Sequence, residues 1–243
     1  MSASPVVLLS GATGRIGKIL TTALIQEGYL VAGISRKDEE TPQAGYIPLR
    51  ADLHAPDAAE SIRAALDTQQ LNPAHFIHAA CDLENIISGD SLSMPAENFH
   101  KEFHMAVVAP YAVSMMLLAR GGLETITNIS SMYGNVAVNT GLYAEGETPS
   151  RIHYNTAKAA QIHFTKDLAV RLAPKGVRVN CVSYGGVKGR TPDAFQARYA
   201  KLCPQGRMLD DADLAEPVCF LLRPGASGVV GHNIVVDGGW TVW

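Results

Sequence analysis

Seven short apolar runs punctuate this 243-residue chain, at residues 5–9, 29–34, 46–49, 75–80, 123–130, 177–182 and 233–236. Most are continuous rather than alternating, the pattern of strands that are covered on both faces of a parallel sheet. Between the first two, residues 15–27 place Ile16, Ile19, Leu20, Ala23 and Leu24 at helical spacing and stop at Gly28. Further helices are predicted over 56–66, 96–120, 154–173 and 213–222. Pro110 is a kink or break inside the second of these, and Pro174 and Gly176 end the third. The alternation predicts an α/β chain: one domain over 1–243, built on a doubly wound parallel sheet of about seven strands with helices on both faces. Loops at the carboxyl ends of such strands line the ligand crevice, so the least regular segments, 135–150 and 184–206, are expected at the substrate site.

Composition narrows the function classes. Hydrophobic residues make up 47% and charged residues 18%, enough for a substantial core. The net charge of −3 gives no basic footprint, which argues against nucleic acid as a partner. No run of about 18 apolar residues suggests a membrane span, and the apolar run after Pro5 is too short for a signal peptide. Cys81, Cys181, Cys203 and Cys219 are far apart and lack C-x-x-C spacing, so reduced thiols in a cytoplasmic protein are expected, and no metal site.

Ser10-Gly11-Ala12-Thr13-Gly14-Arg15-Ile16-Gly17 lies between a predicted strand and a predicted helix. In that context Gly11, Gly14 and Gly17 permit a tight turn and close approach of backbone to a pyrophosphate, whose charge the helix N-terminus favours. Thr13, Arg15 and Ile16 fall within the same cofactor loop. After the second strand stands Ile34-Ser35-Arg36-Lys37, with no carboxylate until Asp38. A cation there suits the 2′-phosphate of NADP(H), where NAD(H) would call for Asp or Glu. NADP(H) is therefore favoured and NAD(H) remains possible, with Arg15 expected in the same neighbourhood as Arg36. Asp52, before Leu53, suits either an acceptor for an adenine amino group or a helix N-cap. In His78-Ala79-Ala80, the small Ala79 and Ala80 would let a ribose approach, and His78 could equally be a core histidine.

Tyr154 and Lys158 are four residues apart, hence on one helical face. An ammonium near a phenol stabilises phenolate and lowers its pKa, making Tyr154 a candidate proton-transfer group. Together with Gly11, Gly14 and Gly17, Asp52-Leu53, Asn128-Ile129-Ser130-Ser131, Arg178-Val179-Asn180, Gly185-Gly186-Val187 and Val236-Asp237-Gly238-Gly239, this pair resembles the short-chain dehydrogenase/reductase family over essentially the whole chain. The resemblance implies a Rossmann-like fold and hydride transfer between a nicotinamide cofactor and a carbonyl or secondary alcohol. It implies that Tyr154 is the acid/base, that Lys158 tunes it and binds the nicotinamide ribose, and that Ser131 polarises the reacting oxygen. Gly185 and Val187 would line the nicotinamide side. It also implies association into a homodimer or homotetramer through the helices at 96–120 and 154–173. Burial of Trp240, Val242 and Trp243 at a subunit contact would fit such an assembly.

Some residues depart from the pattern. Ala106 stands where many members carry an Asn that anchors a proton-relay water, leaving His104 or another water path to substitute. Tyr184 stands where many have Pro. His78-Ala79-Ala80 is more like the extended, sugar-nucleotide-modifying branch, which keeps open a cofactor-retaining epimerase or dehydratase; a non-catalytic dinucleotide sensor is a third reading. From Ser131 to Tyr154 the chain is longer than in typical short members, similar to reductases of surface-carbohydrate and flagellin-glycan biosynthesis. Asn139, Tyr143, Glu145 and Glu147 in that insertion would suit a polyhydroxylated small-molecule substrate, or merely face solvent. Lys188 and Arg190 could meet an anionic substrate or the cofactor, and His153 is expected at the surface or an interface.

Overall fold

The computed structural model describes residues 4–36, 43–87, 93–189 and 191–243. Seven strands form one sheet: β1 (Val6–Ser10), β2 (Leu30–Ser35), β3 (Tyr46–Arg50), β4 (Pro73–His78), β5 (Thr125–Ser131), β6 (Arg178–Tyr184) and β7 (Asn233–Val236). Their spatial order is β3-β2-β1-β4-β5-β6-β7 and every neighbouring pair is parallel. Parallel pairing requires crossovers, supplied mainly by α1 (Arg15–Gln26), α2 (Ala58–Thr68), α4 (Ala96–Phe103) running on into α5 (Ala109–Arg120), α6 (Ile152–Leu172) and α8 (Glu216–Leu222), with α3 (Leu83–Ile87) a short piece after β4. This is the expected doubly wound, Rossmann-like α/β arrangement.

Successive strand residues point to opposite faces, so each strand feeds two cores. Leu8, Ala32, Phe76, Ile126 and Val179 pack under α2, α5 and α6 through Ile62, Leu66, Val113, Leu117 and Leu168. Val7, Leu9, Val31, Ile77 and Val182 pack under α1 and α8 through Leu20, Leu24, Val218 and Leu222. Pro48 lies inside β3 because β3 is an edge strand, where a missing N–H costs no ladder bond. The strand order reverses between β2 and β4 around β1, which opens the crevice above the ends of β1 and β4.

Three regions depart from the sequence expectations. The predicted kink at Pro110 is absorbed one turn earlier, where residues His104–Val108 form a π turn between α4 and α5. Proline cannot donate to the helix ladder, and the wider turn accommodates that loss without breaking the rod. The segment 184–206, read as irregular, contains α7 (Asp193–Leu202). The helix expected at 213–222 begins at Glu216, because Asp210 and Asp213 form a capping box around a separate 3-10 turn. Among the described residues, Ala96–Arg120 is the one helix long and apolar enough to cross a membrane. Its Met105, Ala109, Val113 and Leu117 are packed into the first core.

Candidate active site

The glycine loop forms as the residues dictate. Gly11 has φ +73°, and a Cβ there would lie 2.7 Å from the Cα of Ala80 and 2.8 Å from the Ala79 carbonyl, so only glycine lets β1 and β4 end side by side. A Cβ on Gly17 would lie 2.0 Å from the Gly11 oxygen. Gly14 is the N-cap of α1, with no capping side chain and no acidic residue in the first turn. The first N–H groups of α1 therefore face the crevice without a protein anion, a cradle that fits a pyrophosphate. Thr13 and Ile16, both half-buried, flank it.

Leu53 is buried and Ala79 and Ala80 are half-buried at the neighbouring strand ends, in keeping with an adenosine-side wall. Asp52 is exposed and its Oδ1 accepts from the His54 N–H at 3.0 Å; the N-cap of α2 is Asp57, so the capping role considered for Asp52 falls to another residue. Arg36 is exposed at the end of β2, while Lys37 and Asp38 lie outside the described residues. Arg15 does not join Arg36. Its guanidinium pairs with Asp211 at 2.5 Å and lies against Gly189, on the opposite side of the crevice. The short-range attraction of a carboxylate decides its direction.

His78 is a structural histidine. It is 1% exposed, with Ser10 Oγ 2.8 Å from Nδ1 and the Met105 carbonyl 2.8 Å from Nε2. A carbonyl only accepts, so Nε2 carries the proton and Nδ1 accepts from Ser10. Burial, with Lys158 nearby, pushes its pKa down to about 3 and keeps it neutral. It thereby ties β1 and β4 to the π turn.

Ser131 ends β5, and Tyr154 and Lys158 lie in the first two turns of α6. Ser131 is near enough to Tyr154 to favour the ionised phenol. Ser131 Oγ also accepts from the Tyr133 N–H at 3.2 Å, which fixes it at the head of a 3-10 turn. The alternative Ser130 points away and donates to the Lys158 carbonyl at 3.0 Å. Lys158 is 5% exposed; its Nζ donates to the Ile129 carbonyl at 2.8 Å and Gln161 Oε1 at 3.1 Å, and lies 5.8 Å from the Tyr154 ring centroid.

The expected lowering of the Tyr154 pKa is not the state observed. Burial raises it above the ordinary phenol range, Cys81 and Glu102 act in the same sense, and Ser131 acts in the opposite one. Burial also lowers the Lys158 pKa. Desolvation disfavours both charged forms and here outweighs the attraction inferred from spacing.

Other expectations are corrected by packing. His153 is fully buried rather than at a surface, with Nε2 bonded to the Asn85 carbonyl at 3.0 Å. Tyr184, in the usual proline position, is buried in the second core and donates to the Leu214 carbonyl. Lys188 Nζ pairs with Asp210 at 2.9 Å, and Arg190 lies outside the described residues. Gly185 packs against Asp237, and Val187 bridges to Leu209, holding the strand end that borders the crevice. Trp240 is buried within the chain, stacked on Tyr199 at 4.4 Å, so it needs no subunit contact; Val242 and Trp243 are exposed.

The insertion is a folded wall. Glu147 accepts from the Ala144 N–H at 2.9 Å and pairs with Arg198 of α7, and Asn139 Oδ1 accepts from the Gly141 N–H. Glu145 is exposed. The Tyr143 hydroxyl lies 3.0 Å from that of Tyr133, which interacts electrostatically with Tyr154. Sequence reasoning missed Tyr133, Gln161 and Glu102. Glu102 had a signal: it interrupts the buried stripe continued by Met105, Ala106, Ala109 and Val113, where a carboxylate is unexpected.

A crevice at the switch point of a parallel sheet, floored by a glycine-cradled helix end and by Ser131, Tyr154 and Lys158, defines a dinucleotide-binding α/β oxidoreductase. The family model described as enoyl-(acyl carrier protein) reductase matches residues 11–241, and the chain belongs to the short-chain dehydrogenase/reductase family. It is 29% identical to an uncharacterized oxidoreductase, YmfI, of Bacillus subtilis, over 96% of this chain and 97% of that one. It is 25% identical to post-translational flagellin modification protein A of Campylobacter coli, over 99% of both. A short-chain dehydrogenase from Leptospira borgpetersenii with bound NAD+ superimposes with a TM-score of 0.88 at 27% identity, covering 98% of this chain and 93% of that one.

Proposed function

We propose that the chain is an NADP(H)-preferring reductase or dehydrogenase that moves hydride to or from a carbonyl or secondary alcohol, with Tyr154 transferring the proton. The observation that carries this reading is the gathering of Ser131, Tyr154 and Lys158 at the carboxyl end of β5, with Lys158 Nζ bonded to the Ile129 carbonyl of that strand at 2.8 Å and 5.8 Å from the Tyr154 ring centroid. A nicotinamide cofactor supplies or accepts the hydride when bound. Gly11, Thr13, Gly14 and the α1 N-terminus would hold its pyrophosphate; Leu53, Ala79 and Ala80 its adenosine half; Lys158, Gly185 and Val187 its nicotinamide half. Ser131 donates to the substrate oxygen and stabilises charge as it develops there. Tyr154, kept protonated by burial, gives up its proton to that oxygen in reduction and recovers it in oxidation.

Arg36 supports NADP(H), since an exposed guanidinium at the end of β2 can pair with a 2′-phosphate. A hydroxylated substrate, such as a sugar derivative, fits the paired hydroxyls of Tyr133 and Tyr143 and accords with the likeness to the flagellin modification protein. The epimerase reading rested on the likeness of His78-Ala79-Ala80 to the extended branch; in this chain both ring nitrogens of His78 are engaged by Ser10 and Met105, as in a core histidine. A homodimer or larger homo-oligomer in the cytoplasm completes the reading. The exposed apolar side chains Phe103, Val108, Tyr111 and Ile152 of α4–α6 would meet the same face of a second copy.

A panel of ketones, sugars and sugar phosphates assayed separately with NADPH and NADH identifies substrate and cofactor. Tyr154→Phe should abolish turnover while cofactor still binds by fluorescence titration. Near-normal rates in that variant would remove Tyr154 from its role. Arg36→Ala should weaken NADPH at least tenfold in KM with little effect on NADH; a wild-type preference for NADH would overturn the cofactor assignment.

A further inference from the structure

The Lys158 ammonium is anchored at two points. An ammonium has three N–H donors, and Lys158 Nζ gives one to the Ile129 carbonyl at 2.8 Å and one to Gln161 Oε1 at 3.1 Å. The first acceptor is backbone, which any sequence would supply; the second is a side chain. Lys158 and Gln161 stand three residues apart on α6 and so are neighbours on one helical face. Polar pairs at that spacing ordinarily meet in solvent. Here Lys158 is buried and Gln161 is 0% exposed, so their bond is made inside the protein.

The helix segment that carries the pair is tied to β5. The Ser130 hydroxyl donates to the Lys158 carbonyl at 3.0 Å. Thr165 Oγ1 accepts from Asn128 Nδ2 at 3.0 Å and donates to the Gln161 carbonyl at 2.9 Å. Because the ammonium can only donate, it is the amide oxygen of Gln161 that faces Nζ. Gln161 Nε2 is then buried with no hydrogen-bond partner among the described residues. A buried donor left unpaired is unfavourable, and an apolar side chain would fill the position without that penalty. What glutamine adds is the bond to Lys158. The residues considered for the proton relay do not replace it: Ala106 offers no side-chain acceptor, and His104 Nε2 donates to the Leu53 carbonyl at 2.9 Å.

We propose that Gln161 is a positioning residue for Lys158: its side-chain oxygen, with the Ile129 carbonyl, fixes the ammonium so that the third N–H is left for the bound nicotinamide cofactor. The proposal rests on the part given to Lys158 under the proposed function. Two fixed acceptors stop rotation about the Cε–Nζ bond, so the third donor keeps a set direction before the cofactor arrives. Ordering a long, flexible side chain in advance removes that entropy loss from the binding step.

The test uses NMR relaxation of cofactor-free protein labelled at lysine Cε, with the Lys158 resonance assigned by its loss in Lys158→Arg. Gln161→Met keeps the length of the side chain and removes its oxygen. The order parameter of the Lys158 Cε methylene should fall by about 0.2. NADPH and NADH, titrated separately by fluorescence, should each bind about two- to tenfold more weakly. Gln161→Glu, which retains an oxygen at the same reach, should restore the order parameter. An unchanged order parameter in folded Gln161→Met overturns the proposal, as does unchanged cofactor affinity in that variant. Equal losses of order in Gln161→Met and Gln161→Glu would assign the effect to packing and overturn it too. If Gln161→Met does not fold, Gln161→Asn, whose oxygen is drawn back by one methylene, decides by the same two measurements. Wild-type protein that binds neither NADPH nor NADH would sink the nicotinamide reading separately, because the order parameter needs no cofactor to show whether Gln161 holds Lys158.

Discussion

The buried imidazole of His78 makes the acid stability of this protein calculable. In the unfolded chain the ring takes up a proton near pH 6.5, but in the folded protein it does so only near pH 3. Between these values the unfolded state binds the extra proton, so stability is complete above pH 6.5 and is lost as pH falls toward 3. The slope for one such group is about 1.4 kcal/mol per pH unit, or about 2 kcal/mol between pH 6 and pH 4.5. His75, held near 4 chiefly by burial, contributes in the same sense. Replacing His78 by Leu removes the titration but leaves the Ser10 hydroxyl and the Met105 carbonyl without their partner, at roughly 1–3 kcal/mol each. The variant should therefore be less stable at pH 7 yet lose stability less steeply on acidification. Urea unfolding at fixed protein concentration, repeated from pH 7 to pH 4.5, measures both effects. The slope against pH should fall by about one proton's worth in the variant. Parallel curves for wild type and His78→Leu would refute the account of His78 as a neutral core group.

Two further outcomes follow from packing. Gly17→Ala pushes a Cβ to within 2.0 Å of the Gly11 oxygen, where only backbone can move. It should cost roughly 1–3 kcal/mol and weaken NADPH binding at least tenfold; an unchanged fluorescence titration would show that the loop does not cradle the cofactor. Trp240→Ala deletes a ring stacked on Tyr199 and should cost roughly 3–5 kcal/mol, lowering the melting temperature by at least ~6 °C. A change under ~2 °C would mean that the Trp240 stack is not part of the folded core.

How far each feature could be read in advance depended on its range along the chain. The seven strands, the helix carrying Tyr154 and Lys158, and the glycine loop are written in patterns a few residues long. Apolar runs, helical spacing and obligate glycines act through local sterics and burial, so they survive without knowledge of the fold. Helix ends were less legible. The capping box of Asp210 and Asp213 and the π turn at His104–Val108 reflect competition among nearby hydrogen-bond partners.

The sequence by itself determined the parallel α/β sheet, the glycine turn at the end of β1 and the placing of Tyr154 and Lys158 on one helix; Ser131 joined them only through the family resemblance. Tertiary structure alone decided which charges those groups feel. It turned Arg15 to Asp211, buried His153 against Asn85, made His78 a strut between β1 and the π turn, and bonded the buried Glu102 to Asn85. Desolvation and Coulomb interactions depend on distances between residues far apart in the chain. No local pattern encodes those distances, so the titration of Tyr154 had to wait for the folded structure.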